Sequence, residues 1–235
     1  MRTGILSRKA LITGGSNGIG CAIAKKFSSE NFRTVIADIK NTETDEENIF
    51  FCRADVSRSS DIDHLFKYTT ETIGDPDVLV INAGRGIQEL LTEGDPEKWQ
   101  EVININVMGA LRIIRAFVPA MLEKKQGNVV FISSVSANQP HPSGGIYSAS
   151  KTALEVIAET LRLETLPHIN VTVISPGITN TKFFENQISG HTSVEGLDMG
   201  FISPEDLAED VFYAISRKNN RSINKIITRP LKQIF

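Results

Sequence analysis

The chain has 235 residues, which at about 150 residues per domain leaves one or two domains open. Its hydrophobic class is 40%, with 17 glycines, an ordinary globular share that argues against disorder. Lys and Arg total 25 against 28 Asp and Glu, so the net charge of -3 gives no general attraction to nucleic acid or anionic lipid.

In chain order, a β-rich run over Arg8 to Thr13 leads through a glycine turn into an amphipathic helix over Ile19 to Glu30. Strands over Thr34 to Asp38 and Ile49 to Ala54 precede a helix over Ser59 to Ile73. Val78 to Asn82 is a fourth strand, followed by a long helix over Pro96 to Lys124. Asn128 to Ser133, a helix over Tyr147 to Glu164, and Asn170 to Ser175 come next. Pro204 to Ser216 and Lys225 to Arg229 supply the last helix and strand.

Several strands are apolar at nearly every position, such as Val78-Leu79-Val80-Ile81, which suits a sheet covered on both faces. Asp95-Pro96 and Ser203-Pro204 each place a capping side chain before a proline at the first helical position. No linker, composition shift or repeat interrupts the alternation. One doubly wound α/β domain over residues 1–235 is expected, with a seven-stranded, mainly parallel sheet and helices on both faces. The Gly-, Ser- and Asn-rich stretch Ile178 to Gly200 reads as a substrate loop.

Two cysteines, Cys21 and Cys52, have neither CxxC spacing nor a histidine cluster beside them, which predicts reduced core thiols and no metal site. Charged Arg8 and Lys9 interrupt the N-terminal run, and no run of about 18 consecutive apolar residues occurs. A cytoplasmic protein without a membrane partner is expected.

Thr13-Gly14-Gly15-Ser16-Asn17-Gly18-Ile19-Gly20 joins the first strand directly to the first helix. Glycines there allow a tight turn, a close approach to a pyrophosphate and close helix packing, while the helix N-terminus offers free N–H groups to an anion. A glycine-rich turn without a ligand is the plainer alternative. The second strand ends at Asp38, near the offset at which an acid meets an adenosine ribose. A carboxylate there repels a 2'-phosphate, so NAD is expected over NADP, although Lys40 two residues on leaves NADP open. A solvated strand-end aspartate is the competing reading. By the same topology Asp55, just after the third strand, is expected beside the adenine.

Tyr147 and Lys151, four residues apart on one helix, place a cation beside a phenol, an arrangement that favours phenolate near neutral pH. Taken with Gly14, Gly18 and Gly20, Asn82-Ala83-Gly84, the serines on the preceding strand and Pro176-Gly177, this resembles the short-chain dehydrogenase/reductase family over nearly the whole chain. The resemblance implies a Rossmann fold and an oxidoreductase acting on a small alcohol or ketone substrate. Tyr147 would be the general acid/base, Lys151 would lower its pKa and bind the nicotinamide ribose, Ser134 would orient the substrate oxygen, and Asn106 would hold a water in a proton relay. Ser133 and Ser136 compete for the serine role, and the family spacing to Tyr147 selects Ser134. Cofactor contacts implied by the resemblance are Gly14, Ser16, Asn17, Gly18, Ile19, Gly20, Asp38, Asp55, Val56, Asn82, Ala83, Gly84, Tyr147, Lys151, Pro176, Gly177, Thr179 and Thr181.

The chain departs from the family pattern with Ile81 in place of an asparagine and Arg85 in place of an apolar residue after Asn82-Ala83-Gly84. Arg85 suits either an anionic substrate group or a solvated loop position. Gln139 and His141 are candidate pocket residues, as is the segment Phe183 to Phe201. Ile223-Asn224, Arg229-Pro230 and Gln233 resemble the ending of a branch that oxidises small 3-hydroxy acids and related alcohols. Members of that branch often use NADP, against the expectation from Asp38. The helices containing Ala153, Val156, Ile157, Leu161 and Leu163 carry more apolar positions than one sheet face needs, so a homotetramer or homodimer is expected. A non-catalytic dinucleotide-binding regulatory or scaffold protein is the alternative function. Such proteins tend to lose the Tyr or Lys, and both are present.

Overall fold

A computed structural model describes residues 7–42, 44–190, 199–217 and 221–234. Seven strands form its sheet: β1 (Lys9–Thr13), β2 (Arg33–Asp38), β3 (Ile49–Arg53), β4 (Val78–Ile81), β5 (Gly127–Ile132), β6 (Ile169–Pro176) and β7 (Lys225–Thr228). Their order is β3-β2-β1-β4-β5-β6-β7 and every pairing is parallel, where the sequence suggested only a mainly parallel sheet. Each expected strand is present, with ends moved by a residue or so.

The helices are α1 (Gly18–Ser29), α2 (Ser59–Thr72), α3 (Pro96–Ile103), α4 (Gly109–Glu123), α5 (Gly145–Thr165) and α6 (Pro204–Ile215). Asp95 caps α3 by accepting from the Glu97 N–H at 3.0 Å, and Ser203 caps α6 by accepting from the Asp206 N–H at 3.0 Å. The helix expected over Pro96 to Lys124 is continuous only in outline. Between α3 and α4, Asn104–Met108 forms a π turn, whose extra residue breaks the 3.6-residue rhythm. Asn106, at its centre, is buried.

Alternate residues of the central strands feed two cores. Leu11, Val35, Leu79, Val129 and Phe131 pack with Leu65, Ile113, Phe117 and Leu154 on one face of the sheet. Ala10, Ile12, Ile36, Val80 and Val130 pack with Ile23, Phe27, Leu207 and Val211 on the other. This two-sided burial explains the unbroken apolar runs. The chain leaves β1 toward β2 on one side and later returns through β4 on the other, so a crevice opens at the C-terminal ends of β1 and β4.

Candidate active site

At that crevice the glycine turn is locked to the end of β4. Asn82 Nδ2 donates to the carbonyls of Thr13 and Gly14, both at 2.9 Å. Thr13 Oγ1 accepts from the Asn82 and Ala83 N–H groups, both at 3.1 Å. Gly14 has φ 68°, and a Cβ there would stand 2.8 Å from Asn82 Nδ2 and 2.9 Å from Ala83 Cα. Gly18 has φ 54° and faces Thr181 across the cleft, where a Cβ would be 3.1 Å from Cγ2. Asn17 precedes α1 without a side-chain cap, and no acid occupies the first turn. The first N–H groups of α1 are therefore left for an anion, as a dinucleotide pyrophosphate requires.

The acidic end is equally ordered. Asp38 accepts from the Ser16 N–H through Oδ2 and from the Lys40 N–H through Oδ1, both at 3.1 Å. Lys40 Nζ is bonded to Asn186 Oδ1 at 3.0 Å, with no ion pair to Asp38. Asp55 receives the N–H and hydroxyl of Ser57 at 2.9 and 2.7 Å, and Val56 is buried beside it.

At the other end Tyr147, Lys151 and Ser134 converge. The Ser134 side chain lies near enough to the Tyr147 phenol to favour its ionised form, and its Oγ accepts from the Ser136 N–H at 3.1 Å. Ser133 Oγ donates to Glu155 Oε1 at 3.2 Å and to the Lys151 carbonyl at 3.4 Å. Lys151, 4% exposed, donates from Nζ to the Ile132 carbonyl at 2.9 Å. Burial pushes the Tyr147 phenol up to about 12, Ser134 opposing it, and pushes the Lys151 ammonium down to about 8. In the protein by itself the phenol is thus raised, chiefly by burial, and not depressed as expected from the adjacent lysine.

Asn106 works through the backbone. Its Oδ1 accepts from the Arg85 N–H at 2.8 Å, while Nδ2 donates to the Arg85 carbonyl at 3.0 Å and to Ser150 Oγ at 2.9 Å. Both amide hydrogens are committed to protein acceptors, so any water held by this residue must donate to an oxygen.

Of the residues implied by the resemblance, all but Ser16, Gly20 and Asn106 line one cleft of about 700 Å³. Ser16 supports Asp38 from behind. Gly20 lets α1 approach β1, since a Cβ there would meet the Gly14 carbonyl and stand 2.7 Å from Asn82 Nδ2. Asn106 backs Gly84. Gln139 and His141 also reach the cleft.

Part of the segment expected to wall the pocket is in place, held by contacts with no sequence signal of their own. Phe183 packs on Tyr147 with ring centroids 5.5 Å apart. Its segment is held by the Ile188 N–H to the Gly86 carbonyl at 2.9 Å and by Ser189 Oγ on Glu89. Glu89 also accepts from the Asp95 N–H at 2.9 Å and Trp99 Nε1 at 2.8 Å. Hydrogen bonding, that of Ser189 foremost, lowers the Glu89 pKa to about 2. Gln233 Oε1 accepts from the Ile178 N–H at 2.9 Å, and Arg229 Nη2 donates to Gln139 at 3.3 Å, so the C-terminal motif braces the loop after β6. The remainder of the expected substrate loop, residues 191–198, lies outside the described residues.

The short chain dehydrogenase model matches residues 8–191. An uncharacterised oxidoreductase of Staphylococcus saprophyticus is 30% identical over 236 residues, covering 94% of this chain and 97% of that protein. An alcohol dehydrogenase from the archaeon Thermococcus sibiricus, complexed with 5-hydroxy-NADP, aligns with a TM-score of 0.84 at 25% identity, covering 97% of this chain and 98% of that one. A short-chain dehydrogenase/reductase from Burkholderia phymatum in complex with NAD aligns with a TM-score of 0.81 at 26% identity, covering 95% and 89%. With the family model spanning most of the chain and nicotinamide-bound neighbours on the same fold, this protein belongs to the short-chain dehydrogenases and is an NAD(P)-dependent oxidoreductase acting on CH-OH groups.

Proposed function

We propose that the enzyme interconverts a small secondary alcohol, 3-hydroxy acids included, and the matching ketone, with NAD as the preferred cofactor and Tyr147 as general acid/base. The observation that carries this reading is that Tyr147, Ser134 and Lys151 line the same cleft as the glycine turn and Asp38. Gly14, Gly18 and the start of α1 would hold the pyrophosphate, Asp38 the adenosine ribose, and Lys151 the nicotinamide ribose. A nicotinamide held there would supply the hydride chemistry, as acceptor in alcohol oxidation and donor in ketone reduction.

The chain's own part is positioning and proton transfer. In oxidation Tyr147 Oη takes the hydroxyl proton as the C–H bond breaks; in reduction it returns that proton to the carbonyl oxygen. Ser134 orients the same oxygen. Lys151, when protonated, favours the phenolate electrostatically, and Asn106 fixes the backbone at Arg85 beside it.

Asp38 supports NAD, because its carboxylate is fixed by two backbone N–H groups in the cleft and carries a charge like that of a 2'-phosphate. Val156 and Leu163 on α5 are 62% and 57% exposed, and Met108 and Leu111 are also exposed; this supports a homotetramer or homodimer built on these helices. Leu161, expected in that surface, belongs to the core. Free Cys21 and Cys52 fit a reducing, cytoplasmic setting.

A panel of secondary alcohols and hydroxy acids with NAD tests the reading, with Tyr147→Phe as control. Turnover that depends on Tyr147 supports it. NADH binding without turnover on any substrate would favour the regulatory or scaffold alternative.

A further inference from the structure

The geometry points to Arg85 and Gln187 as a built subsite for the carboxylate of a short hydroxy or oxo acid. This inference rests on the dehydrogenase reading above and adds the class of substrate.

Two buried polar atoms of the cleft have no partner among the described residues. Arg85 Nε is shielded from solvent without a hydrogen bond, and no carboxylate pairs with its guanidinium among the described residues. Gln187 is 6% exposed, and its Oε1 is also buried and unpartnered. Both residues line the cleft that holds Tyr147 and Phe183. Buried donors and acceptors are paired in nearly all folded proteins, so two orphans in one ligand-sized cleft mark groups whose partners come with a ligand.

Their positions are held. Asn106 clamps Arg85 through both of its backbone polar groups. The segment carrying Gln187 lies against Gly86, where a Cβ would be 3.0 Å from Gln187 Cγ and 2.9 Å from Phe183 Cζ. Arg85 therefore belongs to the catalytic end, beside Gly84, Asn106 and Lys151, whereas Asp38 lies across the cleft at the end of β2. This assigns its charge to substrate in preference to a 2'-phosphate.

The chemistry of the pair selects the ligand. A guanidinium is a planar, donor-only fork that matches a carboxylate with two parallel bonds. The Gln187 amide offers an acceptor, or two donors when turned over, for a hydroxyl or amine on the same small molecule. Phe183 against Tyr147 closes the site with an apolar wall that favours a short carbon skeleton.

The test pairs 3-hydroxybutyrate and other short hydroxy acids with their methyl esters and with 1,3-butanediol. Steady-state turnover is measured with NAD, and calorimetric binding with the NADH complex. The acids should exceed their esters in kcat/KM by roughly tenfold or more, and Arg85→Met should erase that ratio by raising KM for the acids roughly ten- to hundredfold. Gln187→Leu should weaken acid binding without changing the melting temperature. Equal use of acids and esters, or an unchanged ratio in Arg85→Met, overturns the subsite while leaving the dehydrogenase reading standing. If nothing is turned over, binding decides: acid affinity lost in Arg85→Met upholds the subsite, and equal affinity for acid and diol, or no binding of either, overturns it. A matching loss of NADPH affinity in Arg85→Met would reassign the charge to the cofactor and also overturn the proposal.

Discussion

Lys151 Nζ lies 5.8 Å from the centre of the Tyr147 ring and donates to the Ile132 carbonyl at 2.9 Å. The two side chains share a buried environment that opposes charge on both, raising the phenol to about 12 and lowering the ammonium to about 8. With Tyr147 in the general-base role proposed above, alcohol oxidation needs the phenolate, so its kcat/KM should rise with pH through the neutral range. Ketone reduction needs the phenol and should hold level, declining only at high pH. Lys151→Met should move the oxidation profile to higher pH, because the cation that favours phenolate is gone. Paired pH profiles of the two enzymes check this; coincident profiles would sink the coupling.

Tyr147→Phe removes the hydroxyl proposed as acid/base and keeps the ring packed on Phe183. Turnover should drop by about 10²- to 10⁴-fold, the usual worth of positioned acid–base catalysis. NADH affinity, followed by fluorescence titration, should change little, since the glycine turn and Asp38 are untouched.

Asp38 sets a cofactor prediction. NAD should bind roughly tenfold or more tightly than NADP, and Asp38→Ser should narrow or reverse that gap by removing the like charge. Parallel titrations with both cofactors decide it. Wild-type enzyme that binds NADP more tightly would refute the role given to Asp38.

Glu89 ties the substrate segment to α3, and its pKa of about 2 lies below the ordinary carboxylate value of 4.5. A depressed carboxylate contributes stability that is complete above the unfolded pKa and is lost as pH falls through the folded one. Acid should therefore loosen this region between about pH 4.5 and 2. Glu89→Gln should flatten that part of the stability curve in denaturant unfolding and raise KM more than it lowers kcat, because Ser189 loses its charged acceptor.

Gly20→Ala tests the close approach of α1 to the β1 turn. The added methyl would meet the Gly14 carbonyl and lie 2.7 Å from Asn82 Nδ2, the group that joins the turn to β4. A loss of roughly 1 to 3 kcal/mol is expected from such overpacking, with weaker cofactor binding. Thermal unfolding with and without NADH measures both.

Much of this site was legible because it is local. A glycine turn between strand and helix, an acid at a strand end, and a Tyr and Lys one helical turn apart each need only a short run of chain, and their backbone demands confine the residue types. The two-sided apolar strands and the proline-marked helix starts were readable on the same ground. The π turn at Asn104–Met108 was not, since the sequence keeps a helical pattern through it and the turn is held by bonds from Asn106 to Arg85 and Ser150, 21 and 44 residues away.

The sequence by itself determined the doubly wound domain, the nucleotide turn and the Tyr–Lys pair, because local backbone geometry and side-chain period dictate them. Only the tertiary structure decided how Glu89 and Gln233 brace the loops, and that Arg85 and Gln187 line one cleft with polar atoms unpaired among the described residues. Those outcomes depend on contacts between distant segments, and burial sets both their charge states and which polar groups are left without a partner.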